Sequence, residues 1–227
     1  MTPADLTGSI ISHRNDRMGG RIIAMLNALR IAQDYDLPFF VGWTTGGRTS
    51  EECRDPAAIF DADWVNDCFF DTEVLQQVYA DLIDLSTLTG DTRWSLDRFR
   101  KQLGRGESFL SGAAMGVITL PWEDAADVQA RLPRCLDDFK FSAPVRDMIA
   151  KIDTVFAGTK LTAYHIRRGD IISDPITSNK LWPNKYIPRE FYEQHLARTL
   201  EDPDARVLIF SDTPVEVARL KAVDPRV

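Results

Sequence analysis

Within the first 43 residues a short apolar strand, a glycine-bearing loop, an amphipathic helix and a second apolar strand follow one another, and this order constrains the fold most. Gly8-Ser9-Ile10-Ile11-Ser12-His13 reads as a strand, and Arg14-Asn15-Asp16-Arg17-Met18-Gly19-Gly20-Arg21 as a turn-rich loop after it. Ile22, Met25, Leu26, Leu29 and Ala32 then recur at helical spacing, with Asn27, Arg30, Gln33 and Asp34 on the other face. Asp36-Leu37-Pro38 ends the helix, and Phe39-Phe40-Val41-Gly42-Trp43 is an apolar run of strand length. A β-loop-α-β order predicts an α/β domain built on a buried, mostly parallel sheet.

The stretch from 44 to 140 completes this first domain. Asp71 is placed to cap a helix running through Val74, Leu75, Val78, Leu82 and Ile83, and Trp122 to Leu132 reads as helical after Pro121. Gly104 to Leu120 is compatible with strand or loop. Ser142-Ala143-Pro144 opens another helix with Val145, Met148, Ile149, Ile152 and Phe156 at helical spacing, and Gly158 stops it.

A second unit follows. Leu161 to Ile166 is a strand, Pro188 to Leu200 a helix, and Val207-Leu208-Ile209-Phe210-Ser211 a strand. Thr213-Pro214-Val215-Glu216 has the form of a capping box with proline at the first helical position. The expected organisation is an N-terminal α/β domain over 1–157 and a partial Rossmann-like unit over 158–227. Two strands are few for a doubly wound sheet, so the second unit is expected to be incomplete or to extend the first sheet.

Composition matters mainly for what it excludes. Lys plus Arg is 27 against 34 Asp plus Glu, a net charge of −7, so no global positive field draws nucleic acid or an anionic membrane. An anionic ligand must meet a local cluster. No run approaches a membrane span and Met1 to Arg14 lacks a signal-peptide pattern. Cys53, Cys68 and Cys135 are odd in number and far apart, which argues against a disulfide framework or zinc site and for a reducing, cytoplasmic setting.

The stretch that carries chemistry is His165-Ile166-Arg167-Arg168-Gly169-Asp170, where the second unit's first strand gives way to a loop. In a chain with 3 His, the H-x-R-R-x-D pattern is expected only about 0.0025 times by chance. Ligands of open α/β folds sit beyond the carboxyl ends of strands. A guanidinium there offers a rigid fork that holds two phosphate oxygens and neutralises a departing diphosphate. The plainer alternatives are that Arg167 or Arg168 pairs with an acid to pin the loop, and that His165 is a core histidine.

Ala163-Tyr164-His165-Ile166-Arg167-Arg168-Gly169-Asp170 resembles the first motif of the GT-B fucosyltransferases, a group with α1,6-fucosyltransferases, the rhizobial nodulation enzyme and protein O-fucosyltransferases. Arg17-Met18-Gly19-Gly20-Arg21 resembles their N-terminal Gly-rich loop, and Phe210-Ser211-Asp212-Thr213-Pro214 their strand-end S/T-D-x-P segment. The resemblance implies a GT-B-like α/β fold of two Rossmann-like units and inverting transfer of fucose from GDP-fucose without a metal. The acceptor would be a glycan or a lipid- or protein-linked sugar. It places Arg167 on the β-phosphate as the catalytic arginine, with Arg168 supporting the loop and Asp170 in the donor motif. His165 would orient the nucleotide, Asp212 would accept from guanine, and Gly19, Gly20 and Arg21 would lie at the interdomain cleft.

Two departures accompany it. Ile171 stands where the α1,6-enzymes have lysine, and the nearest acid to act as general base is Asp174. The late Ser-rich motif has no match, which makes a truncated relative that binds GDP-sugar without turnover the competing reading. Asp61-Ala62-Asp63 has the metal-binding D-x-D form, but about 2.7 such matches are expected by chance and three occur. Trp182, in the loop after the motif, is a candidate for acceptor contact.

Overall fold

The computed structural model describes residues 1–15, 18–44, 54–112, 116–169, 171–174, 179–180 and 186–227. The chain divides into two compact units, Met1–Asp147 and Met148–Val227.

In the first unit, β1 (Ile10–His13), β2 (Phe39–Trp43), β3 (Phe69–Asp71), β4 (Ile83–Asp84) and β5 (Phe109–Ser111) form one sheet in the order β3-β2-β1-β5-β4. All four pairings are parallel, and Ile10 in the central strand lies opposite Phe39 on one side and Phe109 on the other. Successive strand residues bury on opposite faces. Ile10 joins Ala28, Ile31, Phe99 and Phe109, whereas Ile11 joins Leu6, Phe70, Leu75 and Leu110. Each of these fully buried isoleucines contributes roughly 2 kcal/mol of burial free energy. A sheet so covered on both faces is what an apolar run such as Phe39–Trp43 requires.

The helices of this unit are α1 (Met18–Tyr35), α2 (Ala62–Cys68), α3 (Thr72–Val78), α4 (Leu96–Leu103) and α5 (Ala125–Asp137), and α6 (Ala143–Val155) carries the chain across the division between the units. α1 ends where the sequence places its stop. Asp36 takes a left-handed φ of 53°, and Leu37 N donates back to Ala32 O at 2.8 Å, which satisfies a terminal carbonyl before Pro38. Arg30 locks the middle of α1 from inside: buried, it donates to Asp34 (2.9 Å), Glu123 (2.6 Å) and the Ile118 carbonyl (2.9 Å).

Several expectations need correction. Gly19, Gly20 and Arg21 are not loop residues but the first turn of α1. The Asp71 cap is present, accepting from Glu73 N at 3.2 Å, but the helix stops at Val78 and Ile83 opens β4. Trp122 precedes α5, whose cap is Asp124, and the helix runs through Pro133 to Asp137. The ambiguous stretch after Gly104 contains β5. α6 has its expected bounds to within a few residues, yet none of its side chains is buried and Met148, Ile149 and Val155 are exposed.

The second unit holds β6 (Lys160–Ile166), β7 (Ile172–Asp174), β8 (Asn179–Lys180), α7 (Arg189–Thr199), β9 (Ala205–Ser211) and α8 (Pro214–Lys221). β6 and β9 pair in parallel over seven positions, from Lys160 opposite Ala205 to Ile166 opposite Ser211. α7 and α8 supply Tyr192, Leu196 and Leu220 to the core formed with Ile166 and Val207. Leu161 and Phe210 are exposed. The short antiparallel pair β7–β8 was not foreseen. Among the described residues no helix is long and apolar enough to cross a membrane.

Candidate functional site

Because Ile166 and Ser211 are register partners, β6 and β9 release their following loops side by side. That brings together two segments 44 residues apart. Asp212 accepts from the backbone N–H of Arg168 at 2.8 Å and of Gly169 at 3.0 Å, one amide on each carboxylate oxygen. Thr213 Oγ1 donates to the same carboxylate at 3.1 Å, and Thr213 N donates to Ser211 Oγ at 3.0 Å. A Cβ at Gly169 would stand 3.0 Å from Asp212 Oδ2, so the close approach depends on glycine. The two loops thus form one rigid rim at the carboxyl ends of adjacent parallel strands, where α/β folds place ligands.

The two arginines of the motif have different surroundings. Arg167 is half-buried, whereas Arg168 is only 3% exposed. Arg168 Nη1 donates to the Ile187 carbonyl at 2.8 Å, and its guanidinium lies 4.8 Å from the Tyr186 ring centre and 5.6 Å from that of Tyr192. Its Nε is 3.8 Å from Glu216 Oε1. Glu216, 2% exposed, accepts from Arg189 Nε at 2.8 Å and Nη2 at 2.7 Å and from Arg219 Nη2 at 3.1 Å. Burial pushes its carboxyl upward, but the bonds from Arg189 and Arg219 outweigh this and hold it below the usual glutamate value. Tyr192, raised by burial, donates from its hydroxyl to the His165 carbonyl at 3.3 Å.

Of the residues singled out from sequence, His165, Arg167, Arg168 and Asp212 therefore share one strand-end region. His165 is exposed, not a core histidine. Asp174 is the last residue of β7. Asp170, Arg17, Trp182 and Cys53 lie outside the described residues. The capping-box reading of Glu216 is corrected: Thr213 makes no side-chain cap, and the carboxylate bonds arginines of α7 and α8 instead of turning back to Thr213 N. Tyr192 has the spacing of a packing residue of α7, and its place beside Arg168 is not marked by that spacing, nor are Arg189 and Ile187 marked by any short-range pattern.

The predicted residues of the first unit line the carboxyl edge of its own sheet. Arg21, buried, donates to the Thr44 carbonyl at 2.8 Å and lies 4.6 Å from the Trp43 ring centre. Gly19 is exposed, with no atom within 4 Å of an added Cβ. Gly20 is half-buried. Next to them His13 Nδ1 donates to the Gly42 carbonyl at 2.9 Å, and Arg14 Nη1 to the Gly112 carbonyl at 3.0 Å. Burial, with a smaller push from Arg21, holds the His13 imidazole below its usual value. Among the described residues no group of three His, Cys, Asp or Glu side chains is arranged to hold a metal ion.

A parallel five-stranded sheet with helices, together with a second parallel strand pair, defines a Rossmann-like α/β protein. Comparison with solved structures finds similarity to the fucosyltransferase NodZ from Bradyrhizobium, at 14% identity and a TM-score of 0.48, over 96% of this chain and 77% of that one. A NodZ α-1,6-fucosyltransferase co-crystallised with GDP aligns at 12% identity with the same TM-score and coverage. POFUT1 in complex with GDP-fucose aligns at 10% identity and a TM-score of 0.45, over 95% of this chain and 81% of that one. No protein-family model and no curated protein matches the sequence.

Proposed function

We propose that this chain is a glycosyltransferase of fucosyltransferase type with a GT-B-like fold, taking GDP-fucose as donor through the rim formed by β6 and β9. The observation that carries the reading is the joining of the Arg167–Gly169 loop to Asp212 at two neighbouring strand ends.

Transfer requires an acceptor hydroxyl to attack the anomeric carbon of fucose while the bond to the diphosphate oxygen breaks. The electron pair leaves with GDP, and the hydroxyl proton goes to a base. Arg167 supplies positive charge to the departing β-phosphate. Arg168, buried, holds the backbone from which Arg167 projects. Asp212 anchors the loop amides and accepts from the guanine edge, with His165 beside the base. Asp174 takes the acceptor proton. The reaction so written inverts the anomeric centre and uses these side chains in place of a metal. The acceptor is a glycan or a lipid- or protein-linked sugar.

The test is incubation with GDP-fucose and, separately, GDP-mannose and UDP-galactose. The reading expects nucleoside diphosphate release from GDP-fucose alone, raised by an acceptor glycan and abolished by Arg167→Ala. Release that is equal for all three donors, or unchanged in the variant, would overturn it.

A further inference from the structure

A buried charged cluster lies at the base of the loop after β6. Glu216 is bonded by Arg189 and Arg219 and stands 3.8 Å from Arg168. Arg189 is 47% and Arg219 31% exposed in their side chains, so water solvates both. Arg168 has no such outlet. Among the described residues its Nε and Nη2 are buried without a hydrogen-bond partner, and Nη1 donates to a neutral carbonyl. The rings of Tyr186 and Tyr192 give it polarisable surface but no negative charge. A buried guanidinium needs a counter-charge, and among the described residues Glu216 is the carboxylate paired with it.

We infer that Glu216 is a positioning residue for the phosphate-binding loop, acting through the charge balance of Arg168. This deepens the donor-site reading and rests on it. Arg168 is continuous with Arg167, and its own N–H is one of the two that Asp212 holds. Moving Arg168 therefore moves both the loop backbone and the arginine before it. Without the Glu216 charge, Arg168 is driven toward water, the Asp212 bonds open, and Arg167 loses its fixed origin. The carboxylate touches no substrate in this scheme.

The test uses the full chain with Glu216→Gln and Glu216→Asp, reading amide hydrogen exchange in the 163–169 segment and calorimetric affinity for GDP and for guanosine. Gln removes the charge; Asp keeps it but withdraws it by one methylene. Exchange in 163–169 is expected to rise about tenfold or more in Gln and less in Asp, with α1 of the first unit unchanged as folding control. GDP affinity is expected to fall in the same order while guanosine, which lacks phosphate, binds as before. A general structural loss would weaken both ligands together. Unchanged exchange in 163–169 overturns the inference whatever GDP does. Should the Gln variant fail to fold, exchange in the Asp variant at the wild-type rate overturns it equally. If the wild type binds no GDP, the donor-site reading falls, and the exchange data still decide whether Glu216 holds the loop.

Discussion

Asp212 bridges the backbone amides of Arg168 and Gly169 with one carboxylate, at 2.8 and 3.0 Å, and so joins the loop after β6 to the end of β9. A carboxylate accepts from both amides at once; a carboxamide turns an NH2 toward one of them. Asp212→Asn is expected to weaken GDP about tenfold or more, and to erase any preference for GDP over UDP. Calorimetry with both nucleotides checks this. An equal loss for the two would identify Asp212 as a loop anchor with no part in reading the base.

Gly169→Ala places a methyl group 3.0 Å from Asp212 Oδ2. The loop must shift by a few tenths of an ångström, at a cost of about 1–3 kcal/mol. Since that cost falls on the rim, GDP affinity is expected to drop five- to one-hundredfold, roughly the same energy, while thermal unfolding of the first unit stays put. Wild-type GDP affinity in this variant would show that the rim is not where the ligand binds.

The Arg30 network tests the first unit alone. Arg30 is almost fully buried against Glu123 and Asp34. Glu123→Gln leaves Arg30 with Asp34 but removes the more buried of its two counter-charges, so it is expected to lower stability by about 1–3 kcal/mol in urea unfolding. A loss under about 0.5 kcal/mol would contradict a structural role for the ion pair.

His13 sets a pH dependence. Its folded-state value lies below the ordinary one because burial, and then the nearby Arg21 charge, disfavour the imidazolium. The unfolded chain therefore binds a proton that the folded chain refuses. Stability from this group is complete above the ordinary histidine value and is lost as pH falls through that value toward the depressed one. Unfolding midpoints of wild type and His13→Gln, followed from pH 8 to 5, should show a steeper acid loss in the wild type. Parallel curves would mean that His13 is not the group responsible.

The parts of this account that were legible in the sequence are those encoded by local pattern. The alternation of apolar runs with one amphipathic stretch marks β1, α1 and β2, and the apolar run before the Arg pair marks β6, so that both arginines stand at a strand end. The start of α1 was not legible, because Gly19 and Gly20 are poor helix formers. Tertiary anchoring overrides them: Arg21 is held by the Thr44 carbonyl and the Trp43 ring. The helix through Val78 was overextended because Leu82 and Ile83 keep an apolar rhythm, yet Ile83 N pairs with Ser108 O as a strand begins. Glu216 illustrates the deeper limit. Three residues after a threonine it has the spacing of a cap, but its partner Arg189 lies 27 residues earlier in the chain, and only folding brings them together. The apolar spacing of α6 marks the helix but not its burial: Val145 and Ile152 are half-buried, while Met148 and Ile149 are exposed.

Calorimetric titration of GDP into wild type and Arg167→Ala bears most directly on the proposal that the rim binds the donor. The account predicts saturable binding of GDP to the wild type with one site per chain. It predicts at least a tenfold loss in the variant, the energy of a charge-assisted contact to phosphate. Absence of GDP binding to the wild type, or equal affinity in the two proteins, would contradict it.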